Sequence, residues 1–190
     1  MSDKTILYGL CGSFCSFEKS IRALKELVRR GMDVIPAMSF HAGGMDTRFG
    51  TAESFRARLR EITGHEIIDT IEAAEPIGPK HLCDLAVISP CTGNTLAKLA
   101  LGITDTPITM ACKSHLRCGR PVLLALASND SLAASAPNLG RLLNTKNYYF
   151  VPMAQDDWLK KPTSLVADFD QLPDAVELAL RGKQIQPIFF

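Results

Sequence analysis

Apolar residues fall along the chain in two patterns, and these alternate. Short apolar runs without a polar face are typical of strands buried on both sides, and they predict strands at 5–10, 33–38, 84–89, 121–127 and 148–151. A shorter run near 66–68 predicts one more strand. Apolar residues at helical spacing begin at Phe17 and end before Gly31. The same spacing predicts helices over 52–62, 92–101, 106–117, 132–143 and 173–181.

Alternating strands and helices with short links predict an α/β fold. We expect a Rossmann-like, doubly wound and mostly parallel sheet of about six strands, with helices on both faces. A chain of 190 residues forms one such domain, spanning 1–190. The segments 39–51 and 152–170 follow neither pattern and are predicted as long loops, which in compact domains are functional or mobile.

Composition and charge narrow the function classes. Hydrophobic residues make up 46% and charged residues 22% of the chain, as in globular proteins, and the net charge of +1 gives no electrostatic basis for binding nucleic acid or an anionic membrane. No apolar run reaches the roughly 18 residues of a membrane span, and the N-terminus lacks a signal-peptide pattern, so we expect a cytoplasmic protein. The six cysteines form no CxxC pair, which predicts free thiols and no structural metal site.

Candidate chemistry lies where strands end, because ligands of open α/β sheets bind beyond the carboxyl ends of the strands. Gly12 and Ser13 open the first helix, where free N–H groups favour a phosphate, although a mere tight turn is the alternative. The stretch 89–95 brings hydroxyls and an amide to another helix start, and simple N-capping by Thr92 or Asn94 is the alternative there. A dinucleotide is disfavoured, because the third glycine of GxGxxG is missing and no acidic residue closes the second strand.

The run PCTGNT (90–95) resembles the PASANT motif of the flavoproteins that include the homo-oligomeric flavin-containing cysteine decarboxylases. LAKLALGITDTPITMA (96–111) resembles the continuation of that motif, Gly12-Ser13 the first phosphate loop, and 124–130 the substrate-side loop. The resemblance implies a homo-oligomer with FMN as cofactor and Asn129 as a substrate contact. The resemblance and the positions that follow strand ends together give these candidate cofactor-binding residues: Gly12, Ser13, Phe14, Ser39, Ser89, Pro90, Thr92, Gly93, Asn94, Thr95 and Thr109.

Longer runs resemble a narrower family, the B subunits of dipicolinate synthases, over nearly the whole chain. Among them are DTRFGTAE (46–53), SPCTGNTLAKLA (89–100) and QDDWLKKPTSLVAD (155–168). This resemblance implies an oxidoreductase subunit that is active with a separate dipicolinate synthase A subunit, which carries NADP or NAD. The pair would oxidise a dihydrodipicolinate-type precursor to dipicolinate during sporulation. Arg48 is a candidate for binding a carboxylate of this small dicarboxylate substrate, and a loop contact with Asp46 is the alternative.

Departures from the decarboxylase pattern keep other functions open. The catalytic histidine of the decarboxylases aligns near Pro76, and the methionine before the substrate-loop asparagine is Ser128. Two alternatives therefore remain, an FMN-dependent decarboxylase and a noncatalytic binding partner of the A subunit, and no catalytic residue is assigned. His41 is either an acid or base or an ordinary loop residue, and Trp158 belongs either to a partner surface or lid or to the core.

His115 and Cys91 are also interpreted from the sequence. His115 lies near Lys113, Arg117 and Arg120, which predicts a basic cluster at a helix end that either binds a dicarboxylate or forms a solvated face or a subunit contact. Cys91 replaces an alanine of the PASANT motif, and we interpret it as a small buried residue.

Overall fold

The computed structural model describes residues 4–190, and a seven-stranded sheet is its central element. The strands are Thr5–Leu10 (β1), Asp33–Met38 (β2), Leu85–Cys91 (β3), Val122–Ser128 (β4), Tyr148–Phe150 (β5), Met153–Ala154 (β6) and Leu165–Ala167 (β7). The α-helices are Phe17–Arg29 (α1), Phe40–Gly44 (α2), Ala52–Thr63 (α3), Ile71–Ala74 (α4), Gly93–Leu101 (α5), Pro107–Arg117 (α6), Ala136–Leu143 (α7) and Leu172–Ala179 (α8). Short 3-10 turns occupy Phe14–Ser16, Glu75–Ile77 and Phe169–Gln171.

The strand order determines where a ligand crevice can form. Strands β2, β1, β3 and β4 lie side by side and parallel, and β5 pairs in parallel with the first half of β4. The end of β4 pairs antiparallel with β7, which pairs antiparallel with β6. The prediction of a mostly parallel sheet is confirmed, with seven strands in place of six. Because β2 and β3 lie on opposite sides of β1, the chain leaves the sheet in opposite directions there, which opens a crevice at the carboxyl ends of β1 and β3.

Helices cover both faces of the sheet, as predicted. One buried cluster joins the strands to α1, α3 and α8, and a second joins them to α4, α5, α6 and α7 on the other face. Ile6 and Leu7 are adjacent in β1 and point to opposite faces, yet both are fully buried. This double burial explains why the central strands read as continuous apolar runs.

Several predicted elements differ from the structure because tertiary contacts decide them. The strand predicted near 66–68 is a single bridge, in which the Ile68 N–H donates to the Pro36 carbonyl at 2.9 Å and the Ile68 carbonyl accepts from the Met38 N–H at 3.0 Å. The helix predicted over 132–143 begins at Ala136, because the carbonyl of Asp130 accepts hydrogen bonds that hold the preceding residues in turns. The predicted loop 39–51 contains α2, and the predicted loop 152–170 contains β6 and β7.

No helix within residues 4–190 is long and apolar enough to cross a membrane. The six cysteines are free thiols, and four of them, Cys11, Cys83, Cys91 and Cys112, are buried. The interpretation of Cys91 as a small buried residue is confirmed.

The predicted basic cluster around His115 is wrong, because the imidazole lies in the core. His115 is fully buried, its Nδ1 lies 3.6 Å from Sγ of Cys83, and its Nε2 has no hydrogen-bond partner within residues 4–190. Burial, with a smaller contribution from the charge of Arg120, lowers the pKa of His115 to about 4. The ring is therefore neutral at physiological pH.

Because the His115 imidazole is buried and neutral, we expect the folded protein to lose stability in acid. In the unfolded chain His115 titrates near its ordinary pKa of about 6.5. Its stabilising contribution is complete above that pH and is lost as the pH falls from about 6.5 towards 4, because the unfolded chain then binds a proton that the folded chain does not. The difference between the two pKa values corresponds to about 3 kcal/mol at most.

The measurement is urea unfolding between about pH 4.5 and 7.5 for the wild type and His115→Phe, whose ring does not titrate. We expect a shallower pH dependence in the variant. An identical slope in both proteins would show that other groups cause the acid sensitivity.

Candidate functional site

A cleft of about 450 Å³ lies at the carboxyl edge of the sheet, in the crevice between β1 and β3. The loops that follow β1, β2 and β3 form its walls, and the segment before α6 closes one side. The lining residues are Gly12, Phe14, Ser39, Phe40, His41, Met45, Thr92, Asn94, Thr95, Lys98, Asp105 and Thr106. The volume is in the range of small-molecule sites.

The first turn of α5 forms the polar end of the cleft. Thr92 is the N-cap of this helix, and its Oγ1 accepts a hydrogen bond from the Thr95 N–H at 3.2 Å. Capping is therefore the role of Thr92, and the side chain of Asn94, one residue into the helix, is exposed to the cleft. Across the cleft, Ser39 caps α2 by accepting from the Ala42 N–H at 3.3 Å. The starts of α5 and of the short helix α2 thus both border the cleft, where their free N–H groups favour an anion.

Apolar side chains form a second part of the wall. Phe14 is half-buried, while Phe40 and Met45 are 52% and 46% exposed in the cleft region. Lys98 and Asp105 also line the cleft and form an ion pair with Nζ–O distances of 2.8 and 2.9 Å. The hydrogen bond from Lys98 lowers the pKa of the Asp105 carboxyl. The cleft therefore suits a ligand with an anionic end and a flat, largely apolar body.

Buried hydroxyl groups lie behind the wall of the cleft and tie its elements together. The hydroxyl of Tyr8 in β1 lies 2.9 Å from Oγ of Ser89 in β3 and donates to the carbonyl of Ser20 in α1 at 2.9 Å. Ser20 Oγ donates to the Ser89 carbonyl at 2.7 Å. Burial raises the pKa of Tyr8 to about 12, so this phenol stays protonated. These bonds hold β1, α1 and β3 in fixed positions relative to one another.

Six of the predicted cofactor-binding residues line the cleft together, namely Gly12, Phe14, Ser39, Thr92, Asn94 and Thr95. Five others do not. Ser89 and Pro90 are buried in β3, and Gly93 faces the side chains of Ser128, Asp130 and Ser135. Thr109 is engaged in the capping box of α6 with Thr106. Ser13 lies on the opposite side of its loop and lines a smaller hollow.

The two predicted substrate-binding residues lie apart from each other. Asn129 lines the same smaller hollow as Ser13, and its carbonyl accepts a hydrogen bond from Thr163 Oγ1 at 2.7 Å. Arg48 is exposed outside the main cleft, with its guanidinium carbon 4.9 Å from the centroid of the Phe49 ring. Asp46 instead accepts a hydrogen bond from the Ala52 N–H at 2.8 Å.

Sequence reasoning did not assign several residues that line the cleft. Lys98, Asp105 and Thr106 lie inside the run 96–111, so that run itself was a signal that could have found them. Phe40 follows the end of the second predicted strand, where ligands of such sheets bind, whereas Met45 lies in a segment without a regular pattern and carried no signal. Trp158 is 66% exposed, so the alternative that placed it in the core is wrong.

The cleft offers binding groups and few reactive ones. Its lining contains one imidazole, His41, one carboxylate and one ammonium, and none of these side chains accepts a hydride. FMN fits the donor set, because the paired helix N-termini suit its phosphate and the apolar wall suits its ring system. Redox chemistry here therefore requires a bound cofactor.

Family comparison agrees with this geometry, and the chain belongs to the flavoprotein family, whose model matches residues 1–169. Within that class, the chain is 44% identical over 188 residues to the dipicolinate synthase B subunit of Bacillus subtilis (strain 168), a match that covers 99% of this chain and 94% of the relative. The crystal structure of the dipicolinate synthase B subunit from Bacillus halodurans superposes with a TM-score of 0.90 at 40% identity, covering 98% of this chain and 96% of the other. The predicted resemblance is confirmed.

More distant structures show the fold alone. DmrB from Burkholderia xenovorans, a cubic protein cage solved in complex with FMN, superposes with a TM-score of 0.69 at 22% identity, over 94% of this chain and 96% of the other. FMN-dependent cysteine decarboxylases also occur among the solved structures with this fold.

Proposed function

We propose that this chain binds FMN in the cleft between β1 and β3 and acts as the B subunit of a dipicolinate synthase. In this proposal, an A subunit that carries NADP or NAD completes the enzyme, which oxidises a dihydrodipicolinate-type precursor to dipicolinate in the cytoplasm during sporulation. The observation that carries it is the cleft itself, in which two helix N-termini face an apolar wall. The 44% identity to a dipicolinate synthase B subunit supports the choice of reaction.

Different residues of the cleft would bind different parts of FMN. Gly12, Ser39 and Asn94 line the cleft, and their backbone and side-chain groups would hold the phosphate. Phe14 and Phe40 also line the cleft and would shield the ring system from water. When bound, FMN supplies two-electron chemistry that the side chains lack.

The reaction has a defined electron balance. Aromatising a dihydropyridine removes a hydride equivalent from one ring atom and a proton from another. A bound flavin, or the nicotinamide proposed on the A subunit, would supply the hydride acceptor, and water would take up the proton. The role of this chain is then to hold and orient the reactants, which agrees with a cleft lining made mostly of hydroxyl, amide and apolar groups.

The direct experiment is to purify the chain, titrate it with FMN, and then mix it with a candidate A subunit, the precursor, and NADP or NAD. We expect flavin absorbance in the isolated chain and pyridine formation only when both subunits are present. Carbon dioxide release without pyridine formation would favour a decarboxylase. If the A subunit forms pyridine without this chain, and FMN does not bind to this chain, the proposal is contradicted and a noncatalytic partner is favoured.

The same preparation tests the oligomeric state. We propose a homo-oligomer, by likeness to the fold relatives, one of which is a cubic cage. Light scattering that gives the mass of a single 20.7 kDa chain would contradict this.

A further inference from the structure

A second hollow of about 240 Å³ adjoins the FMN cleft. It lies at the same edge of the sheet, between the start of α1, the end of β4 and the segment 155–163. The lining residues are Ser13, Cys15, Ser16, Lys19, Ala127, Ser128, Asn129, Asp156, Lys161 and Val166. The two spaces share the loop after β1, because Gly12 and Phe14 line the cleft whereas Ser13, between them, lines the hollow.

Hydrogen-bond donors with spare capacity dominate this hollow. Lys19 lies on one wall and forms no salt bridge within residues 4–190. In the described part of the chain, the hydroxyls of Ser13 and Ser16 have only the Cys15 sulfur within reach, at 3.9 Å in both cases. Asn129, whose side-chain amide is a further donor, lines the hollow as well. These groups can all donate to an anion without breaking a strong existing bond.

A second cation that lines the hollow, Lys161, is already paired. Lys161 Nζ lies 2.7 Å from Oδ2 of Asp156, whose Oδ1 accepts a hydrogen bond from Ser164 at 2.5 Å. Both side chains of this pair are partly exposed, so the pair is weak and a ligand carboxylate can share the ammonium. The hollow therefore presents two cations and one carboxylate.

We propose that this hollow binds the two carboxylates of a small cyclic dicarboxylate, the substrate class of the proposed reaction. One carboxylate binds Lys19 and the hydroxyls of Ser13 and Ser16, and the other binds Lys161 and Asn129. The hollow has about half the volume of the cleft, which suits a single ring and not a mononucleotide. This inference rests on the proposed function for the identity of the ligand, and it assigns Lys19, Lys161 and Ser16 to substrate binding.

Cys15 provides a site-specific readout, since it is exposed and lines the hollow. Cys118 is half-buried, does not line the hollow, and serves as an internal reference in the same sample. The experiment measures the rate of iodoacetamide alkylation at each thiol by peptide mass spectrometry, with pyridine-2,6-dicarboxylate as the probe and with or without FMN. We expect saturating probe to slow alkylation of Cys15 about tenfold and to leave Cys118 unchanged.

Matched variants test the two cations. Lys19→Gln and Lys161→Gln should each weaken protection of Cys15 by the probe about tenfold, the loss expected for one charge-assisted hydrogen bond. Lys25→Gln removes the same charge from another exposed position of α1 and should have no effect. Pyridine-2-carboxylate, with one carboxylate, should protect at least about ten times more weakly than the dicarboxylate.

Other outcomes would overturn the subsite. No protection of Cys15 at millimolar probe, with or without FMN, would do so. Protection by FMN or inorganic phosphate but not by the dicarboxylate would assign the hollow to the cofactor phosphate instead. The proposed function is tested separately. If the probe protects Cys15 but FMN does not bind, the cofactor proposal is wrong and the subsite stands. If FMN binds but the probe does not protect Cys15, the subsite is wrong and the cofactor proposal stands.

Discussion

Gly78→Ala should strongly destabilise the fold. Gly78 follows the 3-10 turn Glu75–Ile77 and packs directly on α6, where its N–H donates to Ser114 Oγ at 3.0 Å. A Cβ at this position would overlap the Ser114 carbonyl oxygen and lie 2.5 Å from the carbonyl carbon. Helix backbone cannot rotate away as a side chain can, so we expect a loss of at least about 3 kcal/mol of unfolding free energy, the upper end for overpacked cores.

Gly140→Ala is the matched control for this prediction. Gly140 lies inside α7, and a Cβ there would meet nothing within 4 Å. Because alanine favours a helix interior over glycine, this variant should gain up to about 1 kcal/mol. Urea unfolding monitored by circular dichroism, together with soluble yield, compares the two. Equal stability of the two variants would show that the contact between Gly78 and α6 is looser than the structure indicates.

Gly12→Asp should abolish most FMN binding while leaving the fold intact. A Cβ at Gly12 would meet only the Cβ of His41 and a ring carbon of Phe14, both at 3.7 Å, which are ordinary contacts. The added carboxylate would point into the cleft where the proposal places the phosphate. At an effective dielectric constant near about 20, two like charges a few ångströms apart repel by several kcal/mol, so we expect an affinity loss of about 100-fold.

Gly44→Asp controls for the added charge. Gly44 is exposed at the end of α2, does not line the cleft, and a Cβ there would meet nothing within 4 Å. FMN titration monitored by flavin fluorescence should give wild-type affinity for this variant, and thermal unfolding should give similar midpoints for both. Unchanged FMN affinity in Gly12→Asp would place the phosphate elsewhere.

The sequence predicted the site best where local chemistry decides the structure. Thr92 caps α5 through a hydrogen bond to a residue three positions away, and the following helix start then presents Asn94 to the cleft. Such contacts depend on neighbouring residues alone. The residues of the motif that lie within strand β3, such as Ser89, were assigned to the cofactor because the motif is contiguous, yet the strand buries them.

Distant parts of the chain decided the remaining features. The loop 39–51 showed no pattern, but it contributes Phe40 and Met45 to the cleft once α3 holds it in place. His115 was expected among surface charges, and its neighbour in the core is Cys83, 32 residues earlier. Neither contact leaves a periodic signal in the sequence.

The sequence by itself determined the alternation of strands and helices, the double burial of the central strands, and the polar helix start that follows β3. Only the tertiary structure decided that Gly12 and Phe14 face one space while Ser13 faces another, and that Tyr8, Ser20 and Ser89 share one hydrogen-bond network. The physical reason is the sequence separation between the residues that are in contact. Helix caps and strand burial arise from residues close in sequence or from period alone, whereas the direction of a loop side chain depends on which distant segments pack against it.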